Sequence, residues 1–194
     1  MRGVLLPIIE KIPRTLYVEP YCGALGLFLG KPQERAEVVN DTNRALVNCL
    51  KTLRDRDAAR IIRGYANARD RMMSYCERLQ SVCVECLDAL DCVKRYDHED
   101  TLFFIDPPYN CASSACYRTS WTRDDERELV DVLTTLKGSF VLTVYDTDEY
   151  RRLVDCGARR VEHTKTTTVP TDRNAMIERV ETIYIKANHE RRSN

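Results

Sequence analysis

Residues 106–109 read Asp-Pro-Pro-Tyr and follow an apolar run, Leu102-Phe103-Phe104-Ile105, with the look of a buried strand. Proline fixes its own φ and pushes the residue before it toward extended geometry. Two prolines in series therefore stiffen the chain at the strand's end and aim backbone carbonyls in a fixed direction. Asp106 and the carbonyl of Pro107 can then accept both hydrogens of one exocyclic amine, with Pro108 completing the bend. The amine of adenine or cytosine has its lone pair delocalised into the ring. Holding both N–H bonds favours a more pyramidal nitrogen, whose lone pair can attack an electrophile. Tyr109 follows where a ring can stack on the base. Such a base must first leave its duplex, at a cost of about a few kcal/mol.

A second constellation is Val18-Glu-Pro-Tyr-Cys-Gly-Ala-Leu-Gly26. In open α/β sheets ligands bind at the carboxyl ends of strands, where turns and helix N-termini present free amides. Gly23 and Gly26 let the backbone approach a ligand, and Glu19, at the strand's end, can face a positive charge. Asp41 ends the next strand, placed to accept from ribose hydroxyls, and Asp88 follows the third, placed to read an adenine amino group. Helix capping explains Asp41 or Asp88 equally well when each is taken alone. Three strand tips with polar handles predict an adenosine-bearing cofactor.

The elements that must position these residues alternate between strand and helix, which predicts an α/β domain with a largely parallel sheet. Strands are expected at 15–19, 37–40, 82–86, 101–105 and 139–145. Helices are expected after Asp41 and Thr42 as caps, over 88–96, over 121–137 with Lys137 in the last turn, and over 146–157 closed by Gly157. Two further strands, 158–168 and 178–186, are joined by VPTDRNAM and imply an antiparallel hairpin at one sheet edge. From Asp55 to Gln80 arginines interleave with tyrosines and methionines, the pattern of a short helical insert. Its Arg56, Arg60 and Arg63 are candidate phosphate contacts. A solvated amphipathic helix is the plainer alternative.

The chain has 194 residues, 43% hydrophobic, enough for one domain with a sizeable core. Thirty basic residues balance thirty acidic ones, so a surface for nucleic acid must be a local patch. No apolar run approaches the ~20 residues of a membrane span, and the N-terminal one is too short for a secretory signal. A cytoplasmic protein is expected, acting as a monomer. The nine cysteines read as free, buried thiols in this setting. The Cys83-x-x-Cys86 pair lies in a strand-like stretch, and no metal site is expected.

The combination of YVEPYCG, VVNDTNRALVNCLKTLRD, DTLFFIDPPY and ERVETIYIK resembles the Dam-like (D12) class of adenine-N6 DNA methyltransferases, which are common in phages and restriction–modification systems. The resemblance runs over nearly the whole of 1–194 and keeps the family's motif order. It implies a three-layer Rossmann-like fold with a mixed, mostly parallel seven-stranded sheet. It also implies S-adenosylmethionine as methyl donor and adenine N6 of double-stranded DNA as acceptor. Glu19, Pro20, Tyr21 and Gly23 would lie along the methionine part of the cofactor, Asp41 on its ribose and Asp88 near its adenine. Asp106 would contact cofactor and target amine, and Pro107, Pro108 and Tyr109 would complete the catalytic pocket. Tyr117, Arg118 and Trp121 lie where the family's loop approaches the flipped base, although Trp121 suits a core role as well. The sequence departs from the family at Leu25, where a small residue is usual, in having no Trp-x-Gly-Gly-Lys segment, and in a short insert at 55–80. These departures leave open a degenerate relative that works as a DNA-binding or interaction module.

Overall fold

The computed structural model describes residues 2–55, 69–108, 121–169 and 172–188, with side chains described outside 69–73, 165–169 and 172–179. Seven strands form one sheet: β1 (Leu16–Glu19), β2 (Glu37–Asn40), β3 (Cys83–Glu85), β4 (Thr101–Ile105), β5 (Ser139–Val144), β6 (Arg159–Val169) and β7 (Asp172–Lys186). Their order is β3-β2-β1-β4-β5-β7-β6. The first five are parallel to one another where they pair, while β7 runs antiparallel to β5 and to β6. This is the mixed sheet with a C-terminal hairpin that the alternation predicts. Every residue of β4 and β5 is buried, as expected for parallel strands covered on both faces.

Alternate residues build two cores. Tyr17, Val39, Leu102, Phe104, Val141 and Ile183 pack against α1 (Arg2–Lys11) and α2 (Arg44–Arg54). Phe103, Ile105, Phe140, Leu142 and Tyr184 pack against α4 (Ala89–Tyr96), α5 (Arg123–Thr134) and α6 (Asp148–Asp155). Between α2 and β3 lies α3 (Arg69–Leu79), the described part of the 55–80 segment.

Local chemistry accounts for the helix ends. Thr122 and Asp125 form a reciprocal capping box on α5, and Gly157, at φ +88°, closes α6. Four details differ from the sequence reading. The cap of α2 is Asn43, whose side chain accepts from the amides of Ala45 and Leu46; Asp41 and Thr42 lie outside it. Lys137 lies beyond the end of α5, with its amide donating to Asp97. The hairpin strands extend through most of VPTDRNAM, because cross-strand pairing continues to Val169 and Asp172. Finally, Cys49, Cys83, Cys86 and Cys156 are exposed, and only Cys22, Cys76 and Cys92 among the described cysteines are buried.

Candidate active site

The carboxyl edge of the sheet gathers the polar strand tips. A single side chain, Asn40, ties three of them together. Its amide nitrogen donates to the carbonyls of Pro20 (3.0 Å) and Leu87 (3.1 Å), and its oxygen accepts from the Leu87 amide at 2.8 Å. Asn40 is fully buried. Next to it, the Asp41 carboxylate accepts from the amides of Gly23 (3.1 Å) and Asn43 (2.8 Å). The turn after β1 is thus pinned from β2. Gly23 has φ +45°, and a Cβ there or at Gly26 would meet nothing within 4 Å, so both glycines border open space.

Leu25 is the surprise in this turn. It has φ +60°, a left-handed conformation unusual for a non-glycine residue, and its side chain is 3% exposed within the core against α1. The bulk that the family pattern lacks at this position is therefore turned into the core and does not line the cavity.

That cavity, of about 420 Å³, is lined by Arg2, Leu5, Glu19, Tyr21, Cys22, Gly23, Ala24, Gly26, Leu27, Phe104 and Asp106. Glu19 is 2% exposed and accepts a 2.8 Å hydrogen bond from the Tyr17 hydroxyl. Burial pushes its carboxyl up to about 8, helped by the nearby charges of Asp106 and Glu37 and opposed by Tyr17 and Lys31. Asp106, by contrast, is exposed at the end of β4, and its Oδ1 accepts from the Thr143 hydroxyl at 2.8 Å. Pro107 is buried beneath it, so the bend is seated in the protein.

Arg2 completes the charge pattern. It stands on α1, a helix that the periodicity of MRGVLLPIIEKIP does not announce because Pro7 interrupts it. Its guanidinium donates to the carbonyl of Gly26. Gly30 makes room for this path, since a Cβ there would come within 2.6 Å of the Arg2 side chain. A cavity with two carboxyl groups and one guanidinium matches the zwitterionic end of an amino acid.

A second cavity, of about 490 Å³, shares Tyr21 with the first and includes Thr42, Asp88, Leu90, Lys94, Pro108 and Trp121. Asp88 is exposed there and caps α4, accepting from the Leu90 amide at 2.9 Å, so the cap and the cavity wall are one residue. Tyr21 meets Trp121 edge-to-face, with ring centroids 6.0 Å apart. Asp41 is not among the described residues lining either cavity; it acts on the turn between them. Together the two spaces suit an elongated ligand, amino acid at one end and nucleoside at the other.

A third cavity, of about 240 Å³, adjoins Pro108 and Trp121 on the side of Tyr145, Thr147 and Tyr150, with Glu126 in its wall. Burial raises the Glu126 carboxyl above its ordinary range, although the Thr147 hydroxyl lowers it. Of the residues expected at the site, Glu19, Tyr21, Gly23 and Asp106 come together in the first cavity, and Tyr21, Asp88, Pro108 and Trp121 in the second. Pro20 is buried and contributes its carbonyl to Asn40. Tyr109, Arg56, Arg60, Arg63, Tyr117 and Arg118 lie outside the described residues. Sequence reasoning missed Arg2 and Asn40. Asn40, a polar residue following the apolar pair Val38-Val39 at the strand's end, was the one with a signal.

Among solved structures, the chain is similar to a precorrin-6y C5,15-methyltransferase from Geobacter metallireducens GS-15. That match has TM-score 0.55 and 12% identity over 96% of this chain and 87% of the other. It also matches the tRNA m1G37 methyltransferase of M. jannaschii at TM-score 0.48 and 10% identity, over 97% of this chain and 49% of the other. Identities this low concern the fold alone, and the first of the two carries it: a Rossmann-like methyltransferase fold. No curated protein matches the chain. The family model for D12 class N6 adenine-specific DNA methyltransferases matches residues 63–169, which include β3, β4 with Asp106 and the two prolines, and β5. With more than half of its length matched to that model, the chain belongs to the D12 class of N6 adenine-specific DNA methyltransferases.

Proposed function

We propose that this protein methylates adenine N6 in DNA, with Asp106 as the residue that receives the target amine. The observation that carries this reading is the position of Asp106: exposed, just past the end of a buried strand, oriented by Thr143, and in one cavity with Glu19, Gly23 and Arg2. Membership of the family and the fold imply the use of S-adenosylmethionine. The residues present fit that group. Glu19 would face its ammonium, which restores the carboxylate that burial disfavours. Arg2 would face its carboxylate, Gly23 and Gly26 would allow close backbone approach, and Asp88 would border its adenosine. When bound, S-adenosylmethionine supplies an electrophilic methyl group on a sulfonium.

The remaining work belongs to the chain. Asp106 and the Pro107 carbonyl accept the two N6 hydrogens, which orients the nitrogen and favours its lone pair. Thr143 keeps the Asp106 carboxylate in place. A proton leaves N6 only once the nitrogen is cationic. Positioning and fixed charge are the main contributions to rate.

Incubating the protein with radiolabelled S-adenosylmethionine and unmethylated duplex DNA, followed by nucleoside analysis, tests the reading. N6-methyl-2′-deoxyadenosine is the expected product. Asp106→Ala should lower the rate on the order of 100-fold or more while leaving thermal unfolding unchanged. Label on cytosine, or near-normal methylation by the variant, would show that the amine is held elsewhere. A folded protein with no cofactor binding in calorimetry would favour a degenerate binding module.

A further inference from the structure

Beyond the catalytic cavity, the hairpin of β6 and β7 outgrows the sheet that anchors it. β7 pairs with β5 from Lys186 opposite Phe140 to Thr182 opposite Val144, and there β5 ends. The pairing of β6 with β7 continues, through His163 opposite Glu181 and Lys165 opposite Arg179 to Thr168 opposite Met176. At about 3.4 Å per residue, this ribbon extends roughly 20 Å past the carboxyl end of β5. That is the end of the sheet where Asp106 stands.

Register decides which residues share a face. Directly paired residues lie on the same face of a sheet, and faces alternate with period two. Phe104 pairs with Val141, Val141 with Ile185 and Thr143 with Ile183. Asp106, two residues after Phe104, therefore shares a face with Thr143 and Ile183, as its hydrogen bond to Thr143 requires. Continuing by two along β7 gives Glu181 and then Arg179, and Arg179 is paired with Lys165. Two cations thus occupy directly opposed positions on the face that carries Asp106. Glu178 falls on the other face, opposite Thr166. Two basic residues at directly opposed positions, one step beyond Glu181 on that face, form a pattern that one stretch of phosphate backbone can join.

We propose that the β6–β7 ribbon is a DNA-contacting arm, in which Lys165 and Arg179 bind backbone phosphates of the duplex beside the extruded adenine. A two-stranded ribbon fits the major groove, about 12 Å wide. The inference rests on the DNA-methylation reading above, but it assigns duplex binding to a part of the chain outside the catalytic cavity.

The test is binding of the full chain to a fluorescently labelled unmethylated duplex across a salt series, for the wild type and for the double variant Lys165→Gln/Arg179→Gln. The slope of log affinity against log salt should flatten by about 1.8, twice the roughly 0.9 expected per neutralised phosphate. Each single variant should give about half of that change. Cofactor binding and the thermal midpoint of the double variant should be unchanged. A double variant whose slope equals that of a wild type that methylates DNA overturns the arm alone. A wild type that binds no duplex even at low salt overturns the arm and the DNA reading together.

Discussion

At Glu19, burial and the neighbouring charges of Asp106 and Glu37 lift the carboxyl from 4.5 to about 8, against the Tyr17 hydrogen bond and the Lys31 charge. The consequence for stability has a definite sign. Below about 4.5 both folded and unfolded chains hold the proton; between about 4.5 and 8 only the folded chain does. The ligand-free protein should therefore lose stability as pH rises through that window, by at most about 1.4 kcal/mol per pH unit from this group. Glu19→Gln should flatten that dependence in denaturant titrations at several pH values. An equally steep profile in the variant would place the proton elsewhere. Arg2 makes a complementary prediction. Arg2→Ala should weaken S-adenosylmethionine binding on the order of 10-fold or more, as expected for a lost charge-assisted bond. Binding of methylthioadenosine, which lacks the amino-acid end, should stay within about twofold. Equal losses for both ligands in calorimetry would count against a carboxylate contact.

The elements that hold the site are joined at their tips as well as through their cores. Asn40 ends β2 yet fastens the carbonyl of Pro20 after β1 and both backbone groups of Leu87 after β3. Asn40→Ala would leave those groups short of partners in a buried place, at about 1–3 kcal/mol for each unsatisfied group. We expect a lower thermal midpoint together with weaker cofactor binding, since both cavities border these turns. A midpoint shift with unchanged cofactor affinity would limit Asn40 to a structural role. The same tips show what the sequence disclosed. Apolar runs such as LFFI and FVLTV announced buried parallel strands because both their faces are covered. The cap at Asn43 was misassigned to Asp41 and Thr42, since three consecutive polar residues offer the same capping chemistry and only backbone geometry selects among them.

Across the whole molecule, a buried ionic cluster connects α3 to the sheet. Glu37 is 3% exposed and receives Lys31 at 2.5 Å and both terminal nitrogens of Arg78 at 2.5 and 2.6 Å. Arg78 also stacks on Phe28, 4.0 Å from the ring centroid, and Lys31 extends the cluster to Glu34 and to the ring of Tyr17. Breaking a buried pair by removing one partner is costly because the other charge stays behind. Arg78→Met should destabilise the protein by about 3 kcal/mol in denaturant unfolding, whereas an unchanged midpoint would mark the cluster as ornamental to stability. None of the arginines between 55 and 80 advertised this task; in sequence Arg78 looked like its neighbours. The sequence by itself determined the α/β rhythm, the stiff Asp-Pro-Pro bend and the acidic strand tips. Those properties follow from side-chain period and backbone restriction over a few residues. Only the tertiary structure decided that Arg2 reaches the cavity of Glu19 and Asp106, that Leu25 turns away from it, and that Lys165 lies opposite Arg179 beyond the end of β5. Each depends on contacts between residues far apart in the chain, which local pattern does not encode.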